Sequence, residues 1–303
     1  MLLRKKIPLG YVYSLIKYRL FIVMFIAGTI SFFDQYFKDW GISFGETGII
    51  PVWLPGLLGT LIALVLAFRT NQSYDRWWEA RKLWGAIVND SRSLVREVNY
   101  LNNRNVKPEK HRLFVLEMSD LTVLWLHILK DSLRNLNLNK HDFMLMKLGI
   151  RNQSNLCHAI LDRMQELVQD AYDEGIINDF HQTKVTQTIN NLGVSMGGCE
   201  RIKNTVFPQL YASTIDFAIW LFVVIFPIAF RDPNEYVEFP IVVLVSMVFM
   251  MLEKVGIQIQ DPFQNRPTDV PMDSIVYGLE KLVRENEDSE LPTPLKDYEF
   301  YEL

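Results

Sequence analysis

Between Ile49 and Phe68 the chain has twenty consecutive residues without an ionisable side chain. As a helix rising about 1.5 Å per residue, that run spans roughly 30 Å, the thickness of a bilayer's hydrocarbon core. A backbone crossing such a layer must satisfy its own N–H and C=O groups, which leaves a helix or a closed barrel. Three shorter uncharged runs, Leu20–Phe33, Phe217–Phe230 and Phe239–Leu252, have fourteen residues each. Runs of that length also occur in buried helices of soluble proteins. Aromatic residues favour the membrane: Phe32, Phe33, Tyr36 and Trp40 close the first run, Trp53 lies in the long one, and Tyr211 and Trp220 mark the third. Ala27-Gly28-Thr29 lies inside the first run, so the run reads as an uncleaved membrane helix rather than a signal peptide.

Hydrophobic residues make up 49% of the chain and charged ones 22%, a mixture suited to a few membrane helices with a substantial water-facing part. Arg4, Lys5, Lys6, Lys17 and Arg19 precede the first run without an acid among them, and Arg69, Arg76, Arg81 and Lys82 follow the second. The connection after the first run holds Asp34, Lys38, Asp39 and Glu46, and that after the third holds Arg231, Asp232, Glu235 and Glu238, each net −2. The positive-inside rule therefore puts both termini and the long middle in the cytoplasm. A net charge of −4 leaves no electrostatic footprint for nucleic acid. Cys157 and Cys199 form no Cys-x-x-Cys pair and are expected as reduced thiols.

The middle, Arg69 to Phe207, reads as helices. Trp77, Trp84, Ile87, Leu94, Val98 and Leu101 recur close to helical spacing, as do apolar residues in Leu113–Leu133 and Leu156–Tyr172. Pro108 marks a break, a helix is expected from about Ile177 to Val206, and a short one from Met272 to about Glu285 precedes an acidic tail. The expected organisation is 1–70 with two membrane helices, 71–210 as a cytosolic helical region, 211–260 with two more membrane helices, and 261–303 as a cytosolic C-terminal segment. His111, His127, His141, His158 and His181 have no metal-ligand spacing and read as surface or satisfied interior groups. Phosphate-cradling glycine loops and a Gly-x-Ser-x-Gly elbow are missing from the sequence, so no enzyme site or cofactor is expected. Asp216, at the start of the third run, is expected to snorkel to the interface or to pair with a basic neighbour.

Three blocks are more specific than composition. One is Arg69-Thr70-Asn71-Gln72-Ser73-Tyr74-Asp75-Arg76-Trp77-Trp78-Glu79-Ala80-Arg81, directly after the long run. Another is Gly197-Gly198-Cys199-Glu200-Arg201-Ile202-Lys203-Asn204-Thr205, followed by Pro208; the third is Asp261-Pro262-Phe263 with Asp269-Val270-Pro271-Met272-Asp273. An interfacial anchor would explain tryptophans and arginines in the first block but not their order. In order and placement the three blocks resemble the bestrophin family of membrane ion channels, from about Leu20 to Leu282.

The resemblance implies an all-α membrane protein with four transmembrane helices and a large cytosolic helical region, assembled as a homopentameric ring around one ion path in a bacterial inner membrane. The second membrane helix would line the neck. At the family's spacing its pore-facing residues are Thr60, Leu64 and Phe68, stacked at four-residue intervals on one helix face. Leu64 and Phe68 suit a gate that excludes water; Thr60 departs from the bulky apolar residue usual at its level. A narrowing at the cytosolic exit would fall near Ile177 and Phe180. The family is best known for chloride, although some bacterial members favour cations, so small monovalent ions are the expected cargo. Animal members bind calcium through an acidic cluster after the fourth helix. Here Arg266 falls where a carboxylate would be needed, so no calcium clasp is expected and Asp261 is assigned to capping backbone N–H groups. A secondary transporter would need a second broken helix to match Pro51, Pro55, Gly56 and Gly59, and a membrane scaffold would leave the Arg-Trp-Trp block unexplained.

Overall fold

The computed structural model describes residues 2–3, 8–39, 50–100, 107–229, 235–286, 290–294 and 301–302. Arg4, Lys5, Lys6, Trp40, Glu46, Ile49, Leu101, Phe230, Arg231, Asp232 and part of the acidic tail lie outside them, as do the side chains of Asp34, Lys38, Asp39, Glu235 and Glu238. The described residues are almost wholly helical. The exception is an antiparallel pair of two-residue strands, β1 (Leu2–Leu3) and β2 (Tyr301–Glu302).

The chain divides into two compact units. One is built from α1 (Leu9–Asp39), residues 53–76 of α2 (Trp53–Tyr100), α7 (Gln209–Ala229) and α8 (Glu235–Gln260). Each of the four helices has a window long and apolar enough to cross a membrane, and no window has more than 33% of its residues buried. Helices that apolar and that exposed would aggregate in water, whereas in lipid their outward faces are solvated. What the unit buries is a narrow seam: Ile16 and Val23 of α1, Ile62 and Leu66 of α2, Ile215, Ile219 and Phe222 of α7, and Met250 of α8. Phe222 stands edge-on to Phe249 at 5.2 Å, and both rings lie over Gly59 of α2. Pro55 sits in the first turn of α2, where N–H groups have no intrahelical partner, so its missing donor costs little. Pro227 and Pro240 lie inside α7 and α8, a placement common in membrane helices. The helices outrun the uncharged runs: α1 starts at Leu9 rather than Leu20 and α8 continues to Gln260 rather than Leu252, because charged residues at these ends find partners within the unit.

The other unit holds residues 77–100 of α2, α3 (Pro108–Leu133), α4 (Asp142–Lys147), α5 (Leu156–Asp173), α6 (Asp179–Asn204), α9 (Met272–Asn286) and the paired strands. Its core is that of a soluble bundle. Trp84, Ile87, Leu94 and Val98 of α2 meet Met118, Trp125 and Ile128 of α3, Ile160 and Met164 of α5, Ile189 and Met196 of α6, and Val276 and Leu279 of α9. Local chemistry sets the boundaries. Pro108 opens α3 with its φ preset for a helix. Asn155 and Asn178 cap α5 and α6 by accepting from the backbone N–H groups of His158 and His181. Gly175, at φ 71°, ends α5 in a left-handed turn in which the Ile176 N–H returns to the Ala171 carbonyl. Gly198 lies close against α2: a Cβ there would come within 2.8 Å of the Leu83 side chain, which would have to shift to admit it.

Several histidines and carboxylates of this unit are held by ion pairs and hydrogen bonds, and no cluster of metal-ligating side chains occurs among the described residues. His127 bonds Glu280, His141 bonds Asp131, and His111 bonds the Val98 carbonyl. Cys157 and Cys199 are free and buried, their thiols pushed up to about 12 by burial with help from Glu200. Asp131 is fully buried at the end of α3. Burial alone would raise its pKa, but hydrogen bonds from His141 and Lys140 and the charges of Lys130 and Lys140 hold it at about 2, below its ordinary 3.8. Asp273 is lowered in the same way: its burial is outweighed by Arg134 and Lys130. Both depressed carboxylates contribute stability that is present above the ordinary carboxylate range and is lost as pH falls through the folded value, which for Asp131 is about 2. Thermal unfolding should therefore show the melting temperature dropping between pH 4 and pH 2. Asp131→Asn should melt lower at neutral pH and lose part of that acid-dependent drop.

Candidate functional site: the two faces of the second helix

The first part of α2 carries two kinds of side chain on opposite faces. Ile62, Leu66, Arg69 and Ser73 recur at three- and four-residue steps and are all buried. On the other side Thr60, Leu64 and Phe68 are exposed, Leu64 at 53% and Phe68 at 58%. The exposed face bears no charge from Leu57 to Phe68. Thr60 donates its hydroxyl to the Gly56 carbonyl at 2.8 Å, so it presents no unmet donor, although its oxygen lone pairs remain free.

The buried face is fixed by charge. Glu253 of α8, only 2% exposed, bonds Arg19 of α1 and lies 3.8 Å from Arg69 of α2. Arg19 also reaches Asp216 of α7 at 2.8 Å. Two cations and two anions thus link all four apolar helices in a neutral cluster, which is what lets charged groups persist at the ends of such helices. Arg69 is 3% exposed and stacks over Phe207 at 5.5 Å. Asp216 takes the basic partner expected for it. Arg19 and Glu253 were not singled out in the sequence; the signal was present, since each sits where an apolar run meets charge. Tyr211 of α7 adds a hydrogen bond to the Val65 carbonyl at 3.3 Å.

The three sequence blocks are held together by direct contacts. Arg76 faces Asp261 at 3.9 Å in the apolar unit. In the bundle, Trp77 donates its indole N–H to the Thr268 carbonyl at 3.0 Å and stacks on Trp78. Arg201 pairs with Glu79 at 2.6 Å, Glu200 accepts from Asn155, and Phe263 is buried in the core. Pro262 accepts from the Val270 N–H, and Asn71 is exposed. The assignment of Asp261 to capping is corrected: its partner is Arg76, and the loop is capped by Asp269, which accepts from the Arg266 N–H at 3.1 Å. Burial pushes the Asp269 carboxyl up, against hydrogen bonds from Arg266 and Gln264. Ile177 is also corrected. It is 3% exposed within the bundle core, drawn in by the turn that ends α5, and has no surface to line an opening. Phe180, at the start of α6, is 85% exposed.

A set of membrane-length helices cross-linked by a neutral ion cluster around the buried Arg69 and Glu253, with the second helix running on into a soluble-type bundle, defines a polytopic helical membrane protein. The model of the bacterial and fungal bestrophin proteins matches residues 5–285. The chain is similar to the voltage-dependent anion channel-forming protein YneE of Escherichia coli K12, with 28% identity over 302 residues, covering 97% of this chain and 94% of that one. It is 30% identical over 244 residues to a voltage-dependent anion channel-forming protein of Nostoc sp., covering 77% and 78%. The crystal structure of a bacterial bestrophin homologue from Klebsiella pneumoniae shares the fold, with a TM-score of 0.77 at 23% identity over 91% of this chain and 99% of that one. The chain belongs to the bacterial and fungal bestrophin family.

Removing one member of the buried pair should be costly, because it leaves a cation uncompensated. Glu253→Gln should destabilise the detergent-solubilised protein by about 3 kcal/mol in a thermal or denaturant unfolding assay. Asp216→Asn, at a carboxylate 37% exposed, should cost less than about 1 kcal/mol.

Proposed function

We propose that this chain is the subunit of a homopentameric channel for small monovalent anions in the bacterial inner membrane, with both termini in the cytoplasm. The observation that carries this reading is the uncharged, exposed face of α2 bearing Thr60, Leu64 and Phe68, opposite a face pinned by buried charge. Five such faces around an axis would form a neck that a partly dehydrated ion crosses when it is wide enough to stay wet, and that excludes water when it narrows. The relatives' names favour anions, and a neck without charge leaves the choice of sign to groups outside it. Phe180 is the residue with a surface to offer a second narrowing at the cytosolic exit. The bilayer solvates the remaining apolar faces of α1, α2, α7 and α8. No cofactor, metal or nucleic acid enters this reading.

Reconstitution in planar bilayers tests it. Leu64→Ala and Phe68→Ala should each raise unitary conductance several-fold, and reversal potentials in asymmetric chloride should follow the anion. Unitary currents unchanged in both variants, or saturable exchange without current steps, would overturn the reading.

A further inference from the structure

Arg92 and Arg96 are exposed one turn apart on the part of α2 that belongs to the bundle. Arg134, Arg151, Arg163, Arg201 and Arg284 of the same unit lie against carboxylates, whereas Arg81 and Arg112 do not among the described residues. Arg92 and Arg96 have no ion-pair partner among the described residues, in a chain whose net charge is −4. Together they border a cleft of about 480 Å³ lined also by Val95, Asn99, Tyr100 and Leu282. Among the described residues no carboxylate belongs to that lining. Asn99 donates one amide hydrogen to the Val95 carbonyl at 2.7 Å, and the two guanidiniums supply the charged donors of the cleft. Val95 is buried, Leu282 of α9 is partly covered, and the Tyr100 ring is exposed.

We propose that this cleft is a binding site for a phosphate-bearing organic anion. A guanidinium presents a planar fork that matches two oxygens of one phosphoryl group, and side chains one helical turn apart can each take a neighbouring group. A halide would leave nearly all of such a cleft empty, whereas its volume falls within the range of organic-ligand sites, roughly 300–1,000 Å³. Tyr100 and Leu282 would cover the organic part. Since Leu282 lies on α9, the bound anion bridges the last turns of α2 to α9. The site does not depend on the assignment of the pore.

Calorimetric titration of the full chain in detergent tests this, with pyrophosphate and soluble dihexanoyl phosphatidic acid as probes. At least one probe should bind, and Arg92→Gln and Arg96→Gln should each weaken it at least tenfold, with melting temperature unchanged. Lys147→Gln, an exposed cation outside the lining, should leave binding intact. Tighter binding of the phosphatidic acid would point to a lipid headgroup, whereas tighter binding of pyrophosphate would show that the apolar lining adds nothing and would overturn an organic ligand. Failure of both probes to bind at millimolar concentration, or undiminished binding by the double Arg92→Gln/Arg96→Gln variant, would overturn the proposal.

Discussion

The Glu253 carboxylate between Arg19 and Arg69 is the interaction on which the apolar unit depends. Helices with few buried side chains and lipid-like outer surfaces gain little from hydrophobic burial against one another, since lipid tails are as apolar as leucine. Close contacts and buried polar links must then set how they pack. Arg19, Arg69, Asp216 and Glu253 each come from a different helix, and their charges cancel. Van der Waals packing adds to this at Gly59, where Phe222 and Phe249 approach α2 closely.

That cluster also settles which way α2 faces. Once Arg69 is held against Glu253 and Phe207, Phe68, Leu64 and Thr60 are turned away from it, about 100°, 140° and 180° around the helix. A rotation that buried Phe68 would pull Arg69 from its partner and expose an uncompensated carboxylate. The charge-free face and the buried charge are therefore one feature, and they carry the proposed neck.

Much of this was legible in the sequence, and the misses have physical causes. The four spans could be read because lipid demands long uncharged runs, and the bundle helices because a buried stripe repeats every three or four residues. The membrane helices run past the uncharged stretches wherever a charge at their end finds a partner. Arg19 looks like a terminus in the sequence and is interior to α1, because its partners lie on α7 and α8, far along the chain. Ile177 was misread for a related reason: an apolar residue near a helix start can face solvent or core, and only the turn at Gly175 decides. Asp261 was assigned to capping because a carboxylate opening a loop suits that role, but Arg76 claims it and Asp269 caps the loop instead. The motif blocks, by contrast, were recognisable as strings before their roles were visible. Trp77, Thr268, Glu79 and Arg201 then connect them in space.

The central claim is that Leu64 faces water shared by several copies of α2. Native Cys157 and Cys199 are buried, so a single introduced thiol at Leu64→Cys can be addressed alone. Applied to open channels in a bilayer, a charged, membrane-impermeant thiosulfonate should modify it and block the current. Current that persists after the reagent, with the thiol reacting only with a lipid-soluble maleimide, would place that face in the lipid and contradict the account.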